Sequence, residues 1–218
     1  MKKIFLLICA LLLMTGCGGE SQDKTSAKPN EVQSVDKAPV ATQSADKKIL
    51  VAYFSRTGEE YNVGRITKGN TAIVAEMIAK KVGADTFEIK SATPYPDEYQ
   101  ACTDLAKTEL ESNVRPALAA NIDNLAQYDT VFIGFPIWWG AVPRVVMTFL
   151  ENNDFSGKKI IPFCTHGGSG LAGTEREISA ACPKAEVLQG LAIVGKNAQE
   201  NSSSVEKDVD SWLKASGY

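Results

Sequence analysis

The run Val131-Phe132-Ile133-Gly134-Phe135 is apolar at nearly every position. A strand formed there must be covered on both faces, which is the situation of a parallel sheet sandwiched between helices. The chain supplies the other elements in alternation. Ile49 to Phe54, Thr86 to Ile89, Ile160 to Thr165 and Val187 to Ile193 read as further strands. Asn70 to Val82 reads as a helix with Val74, Met77, Ile78 and Val82 on one face, Glu76 and Lys80 paired outside, and Gly83 as its stop. A second helix runs from Asp97 to about Glu111 with Cys102, Leu105 and Ala106 inward, and Asn113 to Gln127 is a longer connection. Val142, Val145, Val146, Phe149 and Leu150 form a single helical stripe behind Pro143. Thr174-x-x-Glu177 and Ser203-x-x-Glu206 predict capping boxes for two more helices, the last burying Val205, Val209, Trp212 and Leu213. The fold class is therefore α/β, a doubly wound five-stranded parallel sheet with helices on both faces.

Ligands of such sheets bind beyond the carboxyl ends of the strands, where the strand order reverses. Three chemically unusual loops fall there. After the first strand, Ser55-Arg56-Thr57-Gly58, an insert from Glu59 to Lys68, and Gly69-Asn70-Thr71 bring hydroxyls and close-approaching backbone to a helix start. That combination suits an oxyanion. After the third strand, Pro136-Ile137-Trp138-Trp139-Gly140 sets two indoles at a strand end. A wall of this kind favours a planar ring, stacking adding roughly 0.5–1.5 kcal/mol beyond area burial. After the fourth, Thr165-His166-Gly167-Gly168-Ser169-Gly170 is glycine-rich and holds the only histidine of the chain.

Ser55-Arg56-Thr57-Gly58 continued by Asn70-Thr71 resembles the flavodoxin phosphate loop split by an insertion, and the likeness spans nearly all of Lys48 to Tyr218. The resemblance implies strand order 2-1-3-4-5 and an FMN cofactor. Its phosphate would be held by Ser55, Arg56, Thr57, Gly58, Asn70 and Thr71, with the insert looped out so that its ends meet again. Pro136 to Gly140 would line the isoalloxazine, one indole stacking on it while Gly140 frees the backbone to change its hydrogen bond with redox state. Thr165 to Gly170 would reach the ring's pyrimidine edge, and His166 beside it would couple protonation to electron uptake.

Lys2, Lys3 and the apolar run Ile4 to Met14 have the form of an export signal. Leu13-Met14-Thr15-Gly16-Cys17 resembles a bacterial lipoprotein cleavage site, with Met14 where leucine is commoner. The organisation expected is a signal peptide over 1–17 with Cys17 lipidated, a disordered tether over 18–47, and one domain over 48–218. Such a protein is exported and membrane-anchored, on the periplasmic or cell-surface side, touching the membrane through its lipid alone. Residues 18 to 48 balance five acidic against five basic side chains, and residues 49 to 218 carry 16 Lys and Arg against 21 Asp and Glu, so nothing favours nucleic acid. Cys102, Cys164 and Cys182 show no Cys-x-x-Cys spacing, Cys164 reads as a core residue, and no clustered ligand set suggests a metal.

Other uses of the sheet fail on residues. A phosphoacceptor domain needs acidic strand ends where this chain has Phe54-Ser55 and Phe135-Pro136. Neither Gly-x-Gly-x-x-Gly nor Gly-Lys-Ser/Thr follows the first strand, and no second histidine exists to activate Ser169. Electron transfer to a redox partner protein or small-molecule acceptor is the leading expectation. An FMN-dependent NAD(P)H:quinone-type oxidoreductase is the second, and a flavin-free, lipid-anchored binding module the third.

Overall fold

The computed structural model describes residues 48–218, so the signal run, Cys17 and the tether lie outside the described residues. The elements follow in the order β1 (Ile49–Tyr53), β2 (Gly58–Glu60), β3 (Gly64–Ile66), α1 (Asn70–Val82), β4 (Asp85–Glu88), α2 (Tyr99–Glu111) and β5 (Thr130–Pro136). They continue with α3 (Arg144–Glu151), β6 (Lys159–His166), α4 (Thr174–Ala181), β7 (Glu186–Val187), β8 (Leu191–Val194), α5 (Gly195–Glu200) and α6 (Ser202–Ala215). The sheet runs β4-β1-β5-β6, with β7 and β8 in turn beyond β6 and every pair parallel. Counted as crossings, this is the 2-1-3-4-5 order.

Alternation along the central strands divides the core. Leu50, Ala52, Val131, Ile133, Phe135, Ile160 and Cys164 pack with the α3 stripe and with Ile178 of α4. Val51, Phe132, Ile161 and Phe163 pack with Val74 and Ile78 of α1, Ala198 of α5 and Val205, Val209 and Leu213 of α6. Both faces are thus closed, as the apolar run over Val131 to Phe135 requires.

The fifth strand is broken, and Pro162 explains where. Leu188 N–H donates to Ile160 O (2.9 Å), so Pro162, two residues on, faces the same neighbour. It has no N–H to give. Gly190 N–H turns to the Glu175 carboxylate instead (2.8 Å).

Several local expectations are corrected. Neither capping box forms: Gly173 and Asn201 precede the two helices without side-chain caps. The Thr174 hydroxyl donates to Leu171 O (2.7 Å), while Glu177 pairs with Arg144 (2.9 Å). Glu76 pairs with Lys68 of the insert and not with Lys80. Leu105 lies on the exposed side of α2, whose inward residues are Cys102, Ala106 and Glu109. Beyond the expected elements stand the antiparallel β2–β3 hairpin built from the insert, a 3-10 turn over Leu125–Gln127 and the short α5. Cys102, Cys164 and Cys182 are free and buried, and burial raises their thiols to about 11, 12 and 11 respectively. No helix among the described residues is long and apolar enough to cross a membrane.

Candidate functional site

The two halves of the split loop meet. A Cβ placed on Gly69 would lie 2.1 Å from Ser55 Oγ and 2.4 Å from Arg56 O, so the chain after the hairpin returns directly onto the chain before it. Ser55 Oγ accepts from Ala72 N–H (3.1 Å), tying β1 to the first turn of α1. Gly69 itself supplies no side-chain cap and no acidic residue stands in that turn, so with Ala72 N–H taken by Ser55 the N–H groups of Asn70 and Thr71 are left for an outside acceptor. Arg56 Nε adds a buried donor without a partner. A surplus of donors on one small loop fits a phosphate.

Arg56 serves mainly as a hub. Its guanidinium donates to Glu59 O (2.7 Å), the Glu60 carboxylate (2.8 Å), Pro96 O (3.0 Å) and Asp97 O (2.8 Å), locking the hairpin to the segment that enters α2. Burial raises the Glu60 carboxyl, and the Arg56 charge and hydrogen bond oppose that rise. Thr71 Oγ1 lies 2.8 Å from Thr165 Oγ1, joining the first loop to the third. Asn70 is held from α5, where Gln199 donates to its Oδ1 (2.8 Å) and Gly195 lets α5 come close.

The second loop is a tight turn closed by Ala141 N–H to Trp138 O (3.0 Å), with Trp139 and Gly140 both at positive φ (52° and 73°). These are the angles of a type I′ turn, easy for glycine and strained for tryptophan. Trp139 is held there by its indole N–H on Thr103 O of α2 (2.8 Å) and by the Lys107 ammonium 5.1 Å from its ring. The indoles divide the work. Trp138 packs edge-on against Tyr95 (4.9 Å) and Phe54 (5.2 Å), whereas Trp139 stays exposed.

In the third loop, Gly168 N–H donates to His166 Nδ1 (2.9 Å). With Nδ1 accepting, a neutral ring carries its proton on Nε2. Burial lowers the His166 pKa from its ordinary 6.5, so the neutral form prevails at pH 7. The folded state therefore resists protonation, and stability falls as pH drops through about 6.5 toward the folded pKa. An NMR pH titration should place the His166 midpoint below 6.5, and His166→Gln should lessen the loss of melting temperature on acidification.

These loops surround a cleft of about 580 Å³, within the roughly 300–1,000 Å³ usual for small-molecule sites. Arg56, Asn70, Pro136, Ile137, Trp138, Trp139, Gly140, Thr165, His166, Gly167, Gly168 and Ser169 line it. Ser55, Thr57, Gly58, Thr71 and Gly170 do not. The lining also includes residues outside the three loops: Glu60, Tyr61 and Asn62 of the hairpin, Tyr99, Gln100, Cys102, Thr103 and Ala106 of α2, and Val194, Gly195 and Lys196 at the start of α5. Tyrosines set within the polar stretches Glu59-Glu60-Tyr61-Asn62 and Asp97-Glu98-Tyr99-Gln100 were the available signal for two of them. Among the described residues no three His, Cys, Asp or Glu side chains gather as a metal site.

A family model described as Flavodoxin matches residues 48–214. A protein designated a flavoprotein from Bacteroides eggerthii is 32% identical, with 78% of this chain and 98% of the other covered and a TM-score of 0.63. A second, from Bacteroides uniformis, is 34% identical over 77% and 98% of the two chains, with a TM-score of 0.61. A flavoprotein from Lactobacillus acidophilus, solved in complex with FMN, shares the fold at 22% identity over 72% and 99%, with a TM-score of 0.54. No curated protein matches the chain.

Proposed function

The chain belongs to the flavodoxin family, and from that premise we propose that it binds FMN in this cleft and passes electrons to a redox partner protein or a small acceptor. The observation that carries the proposal is the closure of the split loop at Gly69 over the start of α1, where the Asn70 and Thr71 amides stay free while Ser55 takes Ala72 N–H. The amides of that turn, with Asn70 steadied by Gln199, would hold the phosphate. Thr71 is engaged behind them with Thr165, bracing the first loop against the third. When bound, FMN supplies one- and two-electron chemistry. Trp139 would cover the ring from the rim while Trp138 props the turn from below. His166 presents a neutral imidazole whose Nε2–H can donate a hydrogen bond and keep a proton near the ring.

Purified full-length protein in detergent should show a flavin spectrum, or acquire one on addition of FMN. A colourless protein that takes up no added FMN would overturn the proposal and favour a flavin-free binding module. A second reading, an FMN-dependent oxidoreductase of the NAD(P)H:quinone type, is favoured by one observation: the cleft extends past the three loops to α2 and the hairpin. The proposal also includes export and a lipid anchor at Cys17, supported by Leu13-Met14-Thr15-Gly16-Cys17 after a basic and apolar start.

A further inference from the structure

Resting on the FMN reading above, we propose that the cleft wall formed by Tyr61, Tyr99 and Trp139 binds a second ligand, a small, uncharged, planar acceptor of the quinone class. Six large hydrophobic side chains are exposed among the described residues, and four of them line this cleft: Tyr61 (53%), Tyr99 (37%), Trp139 (54%) and Val194 (40%). Isolated exposed apolar residues need no explanation, but their concentration in one concave site marks a ligand surface.

The three aromatics follow one side of α2. The Tyr61 and Tyr99 rings are 6.1 Å apart with planes inclined by 31°. One turn further along, Thr103 O receives the Trp139 indole N–H. Tyr61 reaches this position because the hairpin carries it over the third loop, where its ring packs on Gly167 so closely that a Cβ there would lie 2.9 Å from Tyr61 Cδ1. The insert thus supplies a wall as well as separating the two halves of the phosphate loop.

Charge selects the occupant. The charged lining residues are Arg56 and Glu60, paired at 2.8 Å, and Lys196, 3.7 Å from Glu200. No surplus charge asks for an ionic ligand. Asn62 puts a carboxamide at the same wall, suited to a carbonyl oxygen on a flat ring, and Gln100, whose Nε2 donates to Asp104 (2.8 Å), keeps its second N–H.

Equilibrium dialysis of the oxidised, FMN-loaded full-length protein with 2-methyl-1,4-naphthoquinone tests the proposal without turnover. Replacing the ring in Tyr61→Ser should weaken quinone retention about tenfold, whereas Tyr61→Phe should retain it within about twofold. Tyr99→Ser, from the exposed start of α2, should act in the same direction and serves if Tyr61→Ser folds poorly. FMN affinity should change by less than about threefold in each variant. Unchanged quinone retention in both Ser variants, or no quinone binding by the wild-type holoprotein, overturns this inference and leaves the FMN proposal standing. A tenfold loss of FMN itself also overturns it, because the wall would then belong to the flavin. A protein that takes up no FMN overturns both.

Discussion

Gly69→Ala is expected to weaken FMN binding about 100-fold while the domain stays folded. The backbone at Gly69, with φ −68° and ψ 148°, is open to any residue, so space alone opposes the change. The new methyl would meet Ser55 Oγ at 2.1 Å and Arg56 O at 2.4 Å. The hydroxyl could rotate only by releasing Ala72 N–H, and the carbonyl is backbone and moves only with the loop. The halves of the split loop must therefore part, which spreads the donors meant to converge on one phosphate. Crowding of this kind costs about 1–3 kcal/mol of stability, and a loop at the sheet edge can absorb it. Adding Ser55→Ala to Gly69→Ala removes the first collision and leaves the second, so most of the loss should persist. Flavin fluorescence titrations and thermal melts of the three proteins measure both quantities. Wild-type FMN affinity in Gly69→Ala would mean that the phosphate is held elsewhere.

The features legible in the sequence were those set by burial. Val131 to Phe135 required two covered faces, and all five stripe residues are buried, although Val142 lies before α3 and only the other four stand in it. The loops expected at the carboxyl ends of three strands do converge on one cleft. What escaped depends on contacts distant in sequence. The hairpin strands of three residues each are polar apart from the buried Ile66, and Arg56 fastens them to Pro96 and Asp97. Asn62 and Gly64, at positive φ, were the local turn signal. At six residues, α5 is too short to show a period. The capping boxes misled because capping competes with tertiary partners: Leu171 O claims the Thr174 hydroxyl, and Arg144 claims Glu177.

Arg56→Met should unlatch the hairpin, and its cost should depend on pH in a way that identifies the cause. The Arg56 side chain is only 8% exposed, and that of its partner Glu60 17%. Truncation strands the Glu60 carboxylate together with the carbonyls of Glu59 and Pro96, while Asp97 O keeps only the Glu59 N–H (2.8 Å). Removing one member of such a pair costs about 3–5 kcal/mol. Without Arg56, the opposing influence on Glu60 disappears and burial alone raises its carboxyl further above the ordinary 4.5. The folded variant then binds more protons than the unfolded chain just above that pH, so its stability must fall as pH rises. Urea unfolding should accordingly find Arg56→Met closest to wild type in acid and furthest from it near neutrality. Adding Glu60→Gln should recover part of the neutral deficit and flatten the pH dependence, since the carboxamide needs no counter-charge. Because Tyr61 rides on this hairpin, quinone retention should fall with the latch. A neutral-pH stability equal to wild type would show that the guanidinium is not what holds the hairpin down.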